Sequence, residues 1–275
     1  MIIVLRDPQP LVYPKPKNPL RVHRGKAMSI GVGVLCRDAW ILLFADRQIG
    51  TGDFKFYQRK ISLIGLSRGI VGYTYAGLSD VNNTVFEEFG KRIRDADMTV
   101  AEVKRELQKT LNAVLNEQTS PFQMLVGVDS ERPAMFKTFD KAISPVYLHD
   151  FIGFGDSALV RYLSAALLKA DKDPWKQQAM LFGVYVLSQA KKYVHGCGGD
   201  TDVVGLFCGD AYELPSRSLE RMENQFDQFE QRASEVLVAL THDSISQELF
   251  DKTVGDFARH LQEVREQFRM IQLRR

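Results

Sequence analysis

The chain has 275 residues, 45% hydrophobic and 25% charged, a globular composition that excludes global disorder. No uninterrupted apolar run approaches the roughly 20 residues of a membrane helix, and Arg6 and Asp7 cut off the apolar start too early for a signal peptide. Three cysteines make no disulfide framework, so the expectation is a soluble cytoplasmic protein with no membrane partner.

The formal net charge of +2 hides an asymmetry. Residues 1–27 carry six basic side chains against Asp7 alone, which leaves 30 basic and 33 acidic on the remaining 248. A slightly acidic folded part argues against nucleic acid as the main partner. Half of the ten prolines fall within the first nineteen residues, and each lacks an amide donor. Residues 1–27 therefore read as a basic, Pro-rich leader, extended or disordered.

At Met28 the character changes. Ser29–Cys36 and Ala39–Ala45 are short apolar runs around Arg37-Asp38, a hairpin signal, and Lys60–Ile64 and Gly69–Tyr75 repeat the pattern. Four strands are thus expected to open the fold. Ser79 and Asp80 can cap a helix with apolar positions Val81, Val85, Phe86 and Phe89. Thr99 precedes a second helix, with Glu102 placed for a capping box. Strands follow at Phe122–Val128, Ala134–Thr138 and near Tyr147, then helices at Ser157–Lys169 and Pro174–Tyr193, then a strand at Asp202–Cys208. From Ser216 to Arg275 the pattern is heptad-like, two long helices split near Thr241–Ser244. Strand groups separated by helix pairs argue against a doubly wound sheet and for an α+β fold, a four-layer αββα sandwich. The expected organisation is the leader 1–27, a core over 28–215 and a helical extension over 216–275.

There is no Walker loop, G-x-G-x-x-G, H-E-x-x-H or G-x-S-x-G. His195, Cys197, Asp200 and Asp202 come nearest to a metal cluster, but zinc takes Cys/His in spaced pairs, so no metal or cofactor is expected. Gly198 and Gly199 read as a tight turn into the last strand. Cys36 and Cys208 read as small hydrophobes in strands, and Cys197 as a core or turn residue.

The segment MSIGVGVLCRDAWILLFADRQIGTG, the Lys60-Ile61 pair and GYTYAGLSD together resemble the opening of proteasome β-type subunits and their bacterial relatives. IGFGDSALVRYLSAAL and GCGGDTDVVGLF resemble later pieces of that family, in family order. The resemblance implies an N-terminal nucleophile (Ntn) hydrolase fold. Ser29 falls on the nucleophile, Asp46 on the Ala-Asp turn and Lys60 on the lysine ahead of the third strand. Gly77 falls on the turn whose amide serves the oxyanion, while Ile49 and Tyr75 match positions lining the substrate side-chain pocket. A free α-amine titrates near working pH and can take the serine proton. A lysine ammonium beside it favours the neutral amine, and an aspartate holds that lysine charged.

Three positions depart from the family pattern: Phe154 replaces a serine, Val194 an acidic residue and Cys197 a second serine. The resemblance thus implies peptide or amide hydrolysis through Ser29 once residues 1–28 are absent, and self-assembly into homo-oligomers, a ring among them. Two alternatives stay open: a catalytically silent subunit acting in assembly or binding, and a small-molecule amidase on the same fold.

Overall fold

The computed structural model describes residues 29–51, 54–115, 121–153, 163, 174–242 and 244–269. The leader 1–27, Met28, Phe154 and, apart from Leu163, the expected helix Ser157–Lys169 lie outside the described residues. Leu163 is helical and packs against an apolar core.

The described residues open with β1 (Ile30–Leu35) and β2 (Ile41–Asp46), then the short pair β3 (Gln48–Thr51) and β4 (Phe54–Tyr57), then β5 (Ile61–Leu66) and β6 (Gly69–Ala76). Helices α1 (Ser79–Ile93) and α2 (Val100–Val114) follow, then β7 (Gln123–Asp129), β8 (Ala134–Phe139), β9 (Ala142–Val146) and β10 (His149–Gly153). Helix α3 (Lys176–Tyr193), β11 (Thr201–Phe207) and β12 (Asp210–Glu213) precede two long helices, α4 (Ser216–Thr241) and α5 (Gln247–Arg269). One five-stranded sheet has the order β10-β1-β2-β11-β12 and a second the order β5-β6-β7-β8-β9, both antiparallel throughout.

Strand β2, ILLFAD, is buried at every position because both of its faces are covered. Leu42 and Phe44 point to a core that also holds Met180, Val184 and Leu187 of α3 and Leu219, Met222 and Phe226 of α4. Ile41 and Leu43 point the other way, to a core shared with Ala76, Leu125 and Met135 of the second sheet. Tyr73, Tyr75, Val126 and Val128 on the far side of that sheet pack with Val85 and Phe89 of α1 and Leu107 and Leu111 of α2. The period-2 alternation of β2, β6 and β7 thus distributes the apolar residues among three successive cores.

Helix α2 opens with the expected capping box: Thr99 accepts from the Glu102 amide while the Glu102 carboxylate accepts from the Thr99 amide. Helix α1 differs from expectation. Its N-cap is Leu78, with no side-chain cap, and Ser79 and Asp80 are already helical. Among the described residues six strands, not four, precede α1. The β3–β4 pair was missed because it has only four residues per strand and a Gly- and charge-bearing sequence. The strand piece expected near Tyr147 is two strands, β9 and β10, and Tyr147 itself is exposed in the turn between them. Cys208 is no strand hydrophobe: it is exposed in the turn after β11, with φ of 52°.

Candidate functional site

Asp46 ends β2 as a strand residue rather than a turn residue, and Lys60 stands just before β5. Both side chains are 0% exposed. Lys60 Nζ donates to Asp46 Oδ1 at 2.8 Å and also to the Gln48 carbonyl. Asp46 Oδ1 additionally accepts the Ile30 amide at 3.0 Å, and Oδ2 accepts the Gly198 amide at 3.2 Å. Two backbone donors and an ammonium hold one carboxylate, the pattern that stabilises an anion. Burial pushes the Asp46 carboxyl up and the Lys60 ammonium down, while their mutual attraction and hydrogen bond oppose both shifts. With three donors on the carboxylate, the ion pair is the form this geometry supports.

Ser29 immediately precedes β1 and is 2% exposed. The next residue's amide, that of Ile30, is the one bound by Asp46, so the start of β1 is tied to the pair. Gly31 allows a close approach there: a Cβ at this position would lie 2.7 Å from the Thr74 methyl carbon. Tyr75 neighbours Thr74 on β6, stacks on Phe122 with ring centroids 6.3 Å apart, and has a buried hydroxyl with no partner among the described residues. Burial, and then the Asp46 charge, push its phenol up to about 12, so it stays protonated at neutral pH.

Gly77 directly follows β6 with φ of 139°, in the region that favours glycine. Ile49 is a buried residue of β3. Among the described residues no hydrogen bond joins Gly77 or Ile49 to the Asp46–Lys60 pair. The structure therefore brings Asp46, Lys60 and the start of β1 together, and it places Tyr75 within the field of Asp46.

Sequence reasoning missed two contributors. The Gly198 amide and the Gln48 carbonyl act through the backbone, which leaves no side-chain signal. Cys197 lies close enough for its thiol to feel both members of the pair: burial and Asp46 push it up to about 12, against the pull of Lys60. Around the rim, Arg47 Nε and Nη2 bind Asp202 Oδ1 at 2.9 and 2.6 Å, and Arg59 binds Glu213 at 2.6 Å. Asp200 and Asp202 are thus arginine partners, and no His/Cys/Asp/Glu group among the described residues could hold a metal ion. No described helix is long and apolar enough to cross a membrane.

The fold defines the class of the chain first. It is α+β and similar in structure to Anbu proteins. Anbu (ancestral beta-subunit) from Yersinia bercovieri matches with a TM-score of 0.64 at 13% identity, covering 79% of this chain and 99% of that one. A Gly-1 mutant of Anbu from Hyphomicrobium sp. strain MC1 matches with a TM-score of 0.62 at 12% identity, covering 75% and 96%. A helical assembly of the Anbu complex from Pseudomonas aeruginosa matches with a TM-score of 0.58 at 14% identity, covering 75% and 95%.

No protein-family model matches the sequence, and no curated protein matches it. This corrects the assignment to the proteasome β-type subunits suggested by the sequence motifs. The likeness found is to Anbu chains, and at 12–14% identity it is a likeness of fold.

Proposed function

We propose that this chain is an N-terminal nucleophile hydrolase of Anbu-like fold that cleaves peptide or other amide bonds through Ser29. The observation that carries the reading is the Asp46–Lys60 pair, fully buried and bound to the peptide that follows Ser29. An ion pair is costly to bury, and replacing it with apolar side chains is often neutral or stabilising. A chemical use for the ammonium accounts for burying it there.

In the proposed reaction the free α-amine of Ser29 takes the Oγ proton, and Oγ attacks the substrate carbonyl. The Lys60 ammonium favours the neutral amine and the developing alkoxide. The Gly77 amide receives the oxyanion, and Ile49 and Tyr75 line the pocket for the substrate side chain. The C–N bond breaks, the amine leaves with the proton, and water hydrolyses the acyl-serine ester. The site requires residues 1–28 to be absent, because an acylated Ser29 nitrogen is no base.

The finer architecture belongs to the same reading: four layers, αββα, supported by three successive apolar cores with α1 and α2 on one side and α3 on the other. So do self-assembly, supported by the Anbu relative described as a helical assembly, and a cytoplasmic setting. Cys197 favours a second reading, a silent subunit acting in assembly. It places a protonated thiol beside the pair where the resemblance calls for a serine hydroxyl.

Intact mass and N-terminal sequencing test the proposal first, followed by a serine-directed acylating probe. Loss of residues 1–28 changes the formal charge from +2 to −3, which ion exchange resolves. Expected is a chain beginning at Ser29 that the probe acylates at Ser29. A chain that begins at Ser29 and is never acylated there would overturn the catalytic reading and leave the silent one.

A further inference from the structure

Gln123 opens β7, on the same face as Leu125, whose side chain lies in the core between the two sheets. Its register partner on β6 is Ala76, the residue before Gly77. The run of chain into β7 also backs the turn itself. A Cβ on Gly77 would lie 3.1 Å from the Pro121 carbonyl oxygen and 2.9 Å from a Phe122 ring carbon. Gln123 therefore stands beside the turn that offers the Gly77 amide.

Across the gap, the Gly153 amide of β10 donates to Gln123 Oε1 at 3.0 Å. Gly153 is the register partner of Ile30, and a Cβ on it would lie 2.9 Å from the Ser29 carbonyl oxygen. Stacked sheets lie about 10 Å apart, so crossing the gap takes a long side chain. One carboxamide thus links the strand end that carries Ser29 to the turn that carries Gly77.

The same bond fixes the orientation of the carboxamide. A backbone N–H can meet only its oxygen, so Nε2 lies at the other end with two N–H donors. Among the described residues no acceptor meets Nε2, although Gln123 is only 8% exposed. Buried donors are nearly always matched. Two unmatched ones between a nucleophile and an oxyanion donor call for an acceptor that arrives with the substrate.

We propose that Gln123 is a catalytic residue of the Ser29 site: Oε1 holds Gly153, and with it the start of β1, at a set distance from Gly77, while Nε2 donates to the acyl oxygen of the substrate beside the Gly77 amide. When Ser29 Oγ adds to the carbonyl carbon, the π pair of the C=O bond moves onto that oxygen. The resulting negative charge is stabilised better by two converging donors than by one. The C=O bond re-forms as the leaving group departs, and no proton passes through Gln123. Being uncharged, the carboxamide adds nothing to the field of Lys60 at the Ser29 amine. The inference deepens the reading at Ser29 and rests on it.

Gln123→Glu separates the two tasks. Its carboxylate still accepts the Gly153 amide, but in place of Nε2 it presents an oxygen that repels the oxyanion. Gln123→Met keeps the length and loses both. Wild type and variants that begin at Ser29 are acylated with p-nitrophenyl acetate, and the modified residue is read by mass spectrometry. Expected in Gln123→Glu is a maximal acylation rate about 100-fold below wild type, with an unchanged half-saturating concentration and urea midpoint. Hydrogen exchange at the Gly153 amide, measured on the full chain and independent of processing, should stay slow in Gln123→Glu and become fast in Gln123→Met.

A wild type that begins at Ser29 and is not acylated there would overturn the reading at Ser29 and the donor role with it. Acylation of Ser29 as fast in Gln123→Glu as in wild type would overturn the donor role alone. Slow exchange at Gly153 in Gln123→Met would overturn the bridge between the sheets.

Discussion

Gly198 donates its amide to Oδ2 of Asp46 at 3.2 Å, across 152 positions of the sequence. The neighbouring turn is laid along the same strand junction: the Gln48 amide donates to the Gly198 carbonyl and the Arg47 amide to the Asp200 carbonyl, each at 3.0 Å. The carboxylate that holds Lys60 is thus fixed by a turn remote in sequence, and its geometry depends on β2 and β11 being adjacent. Disturbing either partner of the buried pair should be felt in stability as well as in chemistry.

Lys60→Met leaves Asp46 buried with no ammonium beside it. The expected loss is about 3–5 kcal/mol, the usual cost of removing one partner from a buried pair. Adding Asp46→Asn should recover part of that loss, since the uncompensated charge goes with it. Urea unfolding of the two variants against wild type measures this. A single variant within 1 kcal/mol of wild type would show that the pair is not charged in the native state.

Ser29→Ala should behave differently. It removes one hydroxyl at the start of a strand, so stability should change by about 1 kcal/mol or less. In chains beginning at residue 29, amide hydrolysis should fall to background. Residual turnover at the wild-type rate would remove Ser29 from the reaction.

Gly77→Ala tests the turn after β6. A Cβ there would sit 2.9 Å from a Phe122 ring carbon and 3.1 Å from the Pro121 carbonyl oxygen, and φ of 139° is strained for alanine. The expected cost is about 1–3 kcal/mol by thermal or chemical unfolding. Unchanged stability would mean that the backbone relaxes freely at this turn and does not hold the Gly77 amide in place.

Alkaline pH should weaken the fold through Cys197 and Tyr75. Burial raises their native values to about 12, above ordinary values of 9.0 and 10.0, so between those limits the native state keeps protons that the unfolded chain releases. Their stabilising contribution is complete below about pH 9 and is lost as pH rises towards about 12. Cys197→Ala should lose less stability than wild type between pH 8.5 and 10.5, by about 1–2 kcal/mol. At pH 8, iodoacetamide should label the exposed Cys208 and spare Cys197 in the native protein. Parallel pH curves, or rapid labelling of Cys197, would show that this thiol is more accessible than its 7% exposure implies.

Much of the scaffold was legible in the sequence because periodicity reports burial directly. The strands Ile30–Leu35, Ile41–Asp46 and Gln123–Asp129 are apolar runs apart from Asp46, Gln123 and Asp129, and both faces of each are covered. Asp46 and Lys60 were legible through resemblance, and the structure joins them. The Gly198 amide was not, because a backbone donor has the same chemistry at every non-proline position. Strands β3 and β4 were lost because four residues with glycine and charge give too short a window for alternation. Cys208 was misread because the apolar run VVGLFC continues past the strand end. The following Gly209, with φ of 80°, was the available sign of a turn.

The Glu223 carboxylate on α4 accepts from Lys191 of α3 at 2.5 Å and from the Thr201 hydroxyl at 2.6 Å. Thr201 begins β11 three residues after Gly198. The long C-terminal hairpin and the buried carboxylate therefore lean on one short abutment, residues 198–201. A load placed on the hairpin from outside bears on the same few residues that keep Asp46 aimed at Lys60.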